Sequence, residues 1–330
     1  MKVSIILPIY DVEKYLSRCL DSLIGQTLQD IEIICVNDAS PDGCDKVLEA
    51  YAKKDKRIKV ITQKVNGGAA VARQAGVDIA TGEYLGFVDP DDYVNKDFFE
   101  RLYNLAESEK ADIAKGAVIT VDTDGTEKVT STLLNQQIRQ SKFKFFGQNL
   151  WDAIYKTEMV RKHNIHFEID IFCFGLQATF WANKIAVCDD AFYKYVRRQD
   201  SCDSDVFSVH KWLHWNVRGA KYYMTLLNSL DYTPQDYSNI AGYFIFSLYF
   251  YGYDRLLISD RRENTSKLAD FLIEFGEILK YKDVIKPKLN IYGDAIFAKE
   301  KKRLVRLIKC RHVKNKFLKK ILLKVYNKAG

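Results

Sequence analysis

The chain has 330 residues, a 47% hydrophobic fraction and a formal net charge of +7. That composition excludes a disordered protein and supports a large core, arranged in two units. Seven cysteines (Cys19, Cys35, Cys44, Cys173, Cys188, Cys202 and Cys310) are scattered, and no pair has metal-ligand spacing. They read as core thiols of a cytosolic protein, and no signal peptide is expected ahead of a first strand that starts at residue 3.

The first apolar run, Val3-Ser4-Ile5-Ile6-Leu7-Pro8-Ile9-Tyr10, is expected to be a strand that Pro8 ends early. Val12, Tyr15, Leu16, Cys19, Leu20 and Leu23 then recur at helical spacing, with Asp11 placed to cap the start. A second strand, Ile31–Val36, runs into Asn37-Asp38-Ala39-Ser40, and a helix follows to Lys54. A strand at Ile58–Ile61, the turn Asn66-Gly67-Gly68 and a helix over Ala69–Ala80 lead to the strand Tyr84–Val88. That strand ends in the acidic run Asp89-Pro90-Asp91-Asp92. Nearly all-apolar strands alternating with helices predict an α/β fold, a mostly parallel sheet flanked by helices, with a helical C-terminal region.

Ligands of such sheets bind beyond the carboxyl ends of the strands, where Pro8, Tyr10 and Asp11, Asp38, Asn66-Gly67-Gly68 and Asp89–Asp91 fall together. No glycine fingerprint of a dinucleotide fold follows the first strand, and no Walker-type loop is present. A nucleotide would therefore be held by side chains and a cation. Asp38 can accept from a base edge, Tyr10 offers a face for stacking, and Arg73 can face a diphosphate. Crowded carboxylates at Asp89 and Asp91 suit a hard divalent cation that shares its remaining positions with phosphates. The competing readings are an ordinary acidic turn, a turn-starting Asp38 and a solvated Arg73.

The segments Val3–Tyr10, Val36-Asn37-Asp38-Ala39-Ser40, Ala72-Arg73-Gln74-Ala75-Gly76 and Thr81–Tyr93 resemble the nucleotide-binding half of family-2 glycosyltransferases. The resemblance implies a GT-A fold, an inverting transfer and a UDP-sugar donor bound with Mn or Mg. It also implies that Asp38 reads the uracil, Asp89 the ribose and metal, and Asp91 the metal. Pro8, Tyr10 and Glu13 would line the nucleoside pocket, with Arg73 close by. Leu150–Lys156 is similar to the segment that opens the acceptor half in bacterial members. Phe192–Ser201 is similar to the family's tyrosine-rich strand with its Arg-x-x-Ser ending, which makes Arg198 a phosphate or acceptor contact.

The family places its general base in a Glu-Asp pair before this strand, and here the pair reads Asp170-Ile171. An inverting transfer needs a carboxylate to take the acceptor proton, so Asp170 is the candidate base and Glu168 the reserve. The bland alternative is that both acids decorate the start of a helix through Phe172–Ala182. No covalent nucleophile is called for, and the His210/His214 pair reads as a helix face.

From Lys299 to Gly330, thirteen basic residues oppose the single Glu300, so this segment carries +12 and the other 298 residues −5. Leu304, Leu307, Ile308, Leu318, Ile321, Leu322 and Val325 form one apolar stripe, the pattern of a basic amphipathic helix on a membrane surface, with a solvated terminal helix packed on its own domain as the alternative. The expected organisation is a nucleotide-sugar half at 1–120, an acceptor half at 121–205, a helical region at 206–298 and the tail at 299–330. The run Tyr243–Tyr251 is too short to span a bilayer.

The expected partners are a UDP-sugar, a glycan or lipid-linked acceptor and the inner-membrane surface, with no specific nucleic acid. The expected location is the cytoplasmic face of that membrane, in lipooligosaccharide, capsule or related glycan assembly. A non-catalytic membrane-bound sugar-nucleotide binder and a sugar nucleotidyltransferase are the alternatives, the latter disfavoured by the absence of a glycine-rich loop after the first strand.

Overall fold

The computed structural model describes residues 1–131, 135–136, 138, 150–167, 171–198, 224–241, 261–289 and 291–310. The chain divides into two compact units, Met1–Ser201 and Cys202–Gly330.

The first unit begins with strands and helices in strict alternation: β1 (Val3–Ile9), α1 (Glu13–Ile24), β2 (Ile31–Asn37), α2 (Cys44–Lys54), β3 (Ile58–Thr62), α3 (Ala69–Ile79) and β4 (Tyr84–Phe87). It continues with β5 (Tyr93–Val94), α4 (Phe98–Glu109), β6 (Ile113–Val121), β7 (Glu127–Val129), β8 (Ala153–Lys156), α5 (Thr157–Lys162), α6 (Ile171–Trp181) and β9 (Ile185–Val196). Among the described residues, nine strands form one sheet in the order β3-β2-β1-β4-β8-β6-β9-β5, with β7 paired to β6. Strands β1 to β4 are mutually parallel, β8 runs antiparallel to β4 and β6, and β9 is parallel to β6.

All seven residues of β1 and all seven of β2 are buried, because helices cover both faces of the sheet. Alternate residues serve alternate cores. Ile5, Leu7, Ile33 and Cys35 join Leu16, Leu20 and Leu48 of α1 and α2. Ile6, Ile34 and Val36 join Ala72 and Val77 of α3, together with Phe174 and Ala178 of α6. Gly76 lets α3 approach closely, since a Cβ there would lie 2.5 Å from the Ile6 Cγ2.

Two local expectations are corrected. Pro8 does not end β1, which continues through Pro8↔Val36 to Ile9↔Asn37. Ile9 accepts from Asp38 N on the β2 side, and Ile6 accepts from Val88 N on the β4 side. Alternation turns the Pro8 nitrogen toward β4, whose pairing has already stopped at Ile6↔Phe87, so no ladder bond is lost. Asp11 does not cap α1. It stands outside the helix at φ 52°, and Val12 precedes the first turn with no side-chain cap.

In the second unit, helix Arg261–Ile278 packs with helices Ile291–Phe297 and Lys301–Cys310. Leu304, Leu307 and Ile308 are fully buried in that cluster. The first part of the expected lipid-facing stripe is therefore internal, while Lys301, Lys302 and Arg306 keep exposed positions. Residues 311–330 and the run Tyr243–Tyr251 lie outside the described residues. No helix among the described residues is long and apolar enough to cross a membrane.

Candidate functional site

The chain leaves β1 for β2 and β3 on one side and returns to β4 on the other. The crevice between β1 and β4 is thus the switch point, open at the strands' carboxyl ends. Two left-handed residues, Asp11 (φ 52°) and Ala39 (φ 54°), turn the chain just past β1 and β2. Such non-glycine conformations cost of order 1–3 kcal/mol each and concentrate at functional sites. The two turns are tied together: Asp11 N donates to Ser40 Oγ at 2.8 Å, Glu13 N to Asp42 Oδ2 at 2.8 Å, and Gly43 N to Glu13 Oε2 at 3.0 Å. Glu13 therefore braces the loop after β2, while Tyr10 stands 46% exposed at the end of β1.

Asp38 is 2% exposed. Its two carboxylate oxygens accept from Gly67 N at 2.8 Å and Gly68 N at 2.7 Å, which fastens the loop after β3 beside the loop after β2. Gly68 adopts φ +85°, a conformation that favours glycine. Each Asp38 oxygen retains a further lone pair for a ligand.

The acidic run after β4 separates into roles. Arg73 Nη2, from α3, lies 2.6 Å from Asp89 Oδ1. Arg198 Nε, two residues beyond β9, lies 2.7 Å from Asp91 Oδ2. Asp92 turns inward and is 1% exposed, accepting from Tyr193 Oη at 2.9 Å and Val196 N at 2.8 Å. Tyr193 Oη in turn accepts from Asp89 N at 3.1 Å, so one hydroxyl links both ends of the acidic run. Helix α1 closes the loop from the other side: Arg18 Nη2 donates to the Asp91 carbonyl at 2.8 Å, and Ser22 Oγ accepts from Val94 N.

The local field is strongly negative. Burial raises the Asp91 carboxyl and the charge of Asp89 adds to this, with Arg198 opposing. Burial also pushes Asp92 well up, reinforced by Asp91 and Asp89, and lifts the Cys19 thiol, to which the charges of Asp92, Asp91 and Asp89 add.

The donor set fits a hard cation. Asp89 and Asp91 keep 26% and 21% side-chain exposure, whereas both oxygens of Asp92 are engaged inside the fold. No group of three or more His, Cys, Asp or Glu side chains among the described residues forms a complete metal cage. A cation here would draw its remaining ligands from phosphate and water, as magnesium sites do. Arg73 Nε is buried without a hydrogen-bond partner, an orphan donor beside Asp89.

Pro8, Tyr10, Asp38, Arg73, Asp89, Asp91 and Arg198 are thus gathered at one sheet edge. Asp170 and Glu168 lie outside the described residues. On one side of them, Phe167 N donates to Gln74 Oε1 at 2.9 Å, and the Phe167 ring meets Phe87 at 5.4 Å. On the other side begins α6.

Sequence reasoning assigned no individual role to Arg18, Asp92 or Tyr193. Arg18 is one turn from Tyr15 on α1, but nothing in the sequence says that this face meets residues 89–94.

A doubly wound sheet with acidic and arginine side chains at its switch point defines an α/β unit of GT-A type. The glycosyl transferase family 2 model matches residues 4–181, and the chain belongs to that family. An uncharacterized glycosyltransferase, EpsJ of Bacillus subtilis, is 36% identical over 214 residues, covering 60% of this chain and 62% of EpsJ. A poly(ribitol-phosphate) beta-glucosyltransferase of Bacillus spizizenii is 34% identical over 208 residues, covering 61% of this chain and 33% of that protein. The match therefore spans less than two thirds of either relative's length. Staphylococcus aureus TarS 1-349, crystallised with UDP-GlcNAc, superposes with a TM-score of 0.75 at 23% identity, covering 94% of this chain and 90% of that chain. That likeness speaks to the fold.

Proposed function

We propose that the protein transfers a hexose or N-acetylhexosamine from a UDP-sugar to a hydroxyl of a bacterial surface glycan, with inversion at the sugar. The observation that carries this reading is the convergence of Asp38, Arg73–Asp89 and Asp91–Arg198 at the β1/β4 switch point. A relative named poly(ribitol-phosphate) beta-glucosyltransferase and a structural neighbour crystallised with UDP-GlcNAc support the donor class and the glycan class.

In this reading Tyr10 stacks on the base, the free lone pairs of Asp38 accept from its edge, and Asp89 holds the ribose. Asp91, with Asp89, would hold Mn or Mg, which supplies charge neutralisation for the departing UDP. Arg73 and Arg198 bring two guanidinium groups to the diphosphate. The acceptor oxygen attacks the anomeric carbon as the bond to the phosphate oxygen breaks, and Asp170, or Glu168 in its place, takes the acceptor proton. The basic residues from Lys301 onward, among them the exposed Lys301, Lys302 and Arg306, would hold the protein at an anionic membrane surface where lipid-linked acceptors reside.

The test is UDP release from a panel of UDP-sugars, with Mn and then with EDTA, for wild type, Asp91→Ala, Asp170→Asn and Glu168→Gln. Metal-dependent cleavage of one donor, lost in Asp91→Ala and in one of the two other variants, supports the reading and names the sugar and the base. UDP binding with no cleavage, even after lipid-linked acceptors are added, would assign a sugar-nucleotide binder instead.

A further inference from the structure

Asp91 already has a cation on its carboxylate, and that cation belongs to the chain. Arg198 Nε sits 2.7 Å from Asp91 Oδ2, with side-chain exposures of 16% and 21%. The same guanidinium lies 4.9 Å from the ring centroid of Tyr15 on α1. The two arginines of the site are mounted differently. Arg73 is 8% exposed in the first turns of α3, held by the packing of that helix on the sheet. Arg198 lies past the end of β9, where the last described backbone ties are Val196 N to Asp92 Oδ1 and Arg197 N to the Val121 carbonyl. It is therefore carried past the end of a strand, on a long side chain, and not within a helix packed on the sheet.

We propose that Arg198 is an internal counter-ion standing in the place of a divalent cation on Asp91, and that the donor diphosphate draws it away. The inference rests on the metal reading given above. A guanidinium and a divalent cation compete for the same carboxylate oxygen, and their mutual repulsion disfavours sharing it. A diphosphate offers the planar guanidinium a bidentate and more highly charged acceptor than one carboxylate oxygen. When Arg198 moves to the phosphates, one displacement frees Asp91 and adds a cation to the donor. A divalent cation that arrives alone must expel the arginine, whereas one that arrives with the donor need not. The two ligands then bind with positive coupling, and linkage makes that coupling reciprocal. Arg198 acts here as a positioning residue that orders binding, through a contact with Asp91 that exists before any ligand arrives.

The experiment is Mn titration of the full-length protein, reading free Mn by electron paramagnetic resonance. It is run without nucleotide and with saturating UDP, after correction for Mn–UDP association in solution. Without UDP, Arg198→Gln is expected to bind Mn about tenfold more tightly than wild type. Arg198→Lys is expected to remain near wild type, and Asp91→Ala combined with Arg198→Gln to lose the gain. UDP should tighten Mn binding in wild type and do so much less in Arg198→Gln. A variant that is merely damaged loses affinity, so a gain is specific to removing a competitor. Equal or weaker Mn binding by Arg198→Gln without UDP, while wild type still binds Mn through Asp91 when UDP is present, would overturn the counter-ion role and leave the metal reading intact. Mn binding that is identical in wild type and Asp91→Ala, with or without UDP, would overturn both.

Discussion

Asp91 and Asp92 are adjacent in the chain and face opposite ways, and the difference decides what each can do. Asp91 keeps an exposed edge beside Asp89, while Asp92 is closed in by Tyr193 and the Val196 amide. If Asp91 holds the proposed cation, Asp91→Asn is expected to lower metal-dependent donor hydrolysis by roughly 10²-fold or more, because it removes the charge that would hold it. Steady-state hydrolysis with Mn measures this. Tyr193→Phe removes a hydroxyl that donates to Asp92 and accepts from Asp89 N. Leaving those buried groups unpaired is expected to cost about 1–3 kcal/mol in denaturant unfolding, while the ring stack on Trp151 is retained. A Tyr193→Phe protein as stable as wild type would show that the hydroxyl does not organise the loop.

Elements of the sheet are joined by one buried acid that no motif marks. Glu32 of β2 accepts from Ser4 Oγ of β1 at 2.5 Å and from Thr81 N ahead of β4 at 2.6 Å, and it pairs with Lys59 of β3 at 2.6 Å. Burial would raise its carboxyl, but Lys59, Ser4 and Thr81 outweigh that and hold it at about 2, below its ordinary 4.5. A depressed carboxyl stabilises the fold above its unfolded value and loses that contribution as pH falls through the folded value. The contribution is about 2–3 kcal/mol at neutral pH, discounted because Lys59 is 47% exposed. Glu32→Gln should be less stable than wild type by that amount at pH 7, and the gap should close between pH 4.5 and pH 2. Urea unfolding across that range checks it, and a gap independent of pH would locate the effect in packing instead of charge.

Across the whole molecule, positive charge gathers toward the C-terminus, and residues 311–330 carry seven of the thirteen basic residues. Each cation near anionic lipid contributes about 1 kcal/mol. Truncation after Cys310 is expected to leave donor hydrolysis intact and to weaken sedimentation with anionic vesicles steeply. Unchanged vesicle binding would place any membrane contact elsewhere. The helix Lys301–Cys310 cannot insert its apolar stripe without unpacking Leu304, Leu307 and Ile308, so its share of any docking is electrostatic.

The alternation of apolar strands and helices, and the polar clusters at the strand ends, were legible in the residues alone. Both follow from local periodicity and from the rule that a sheet buried on two faces leaves only its ends free. Pro8 misled because its cost depends on whether β4 still lies alongside, which no local pattern encodes. The sorting of Asp89, Asp91 and Asp92 was equally hidden. Their partners Arg73, Arg198 and Tyr193 lie 16, 107 and 101 residues away along the chain. Chemical type and local spacing are written residue by residue. Which carboxylate meets a guanidinium, a hydroxyl or open solvent depends on how β9, α1 and α3 pack around β4, and that packing exists only in the folded chain.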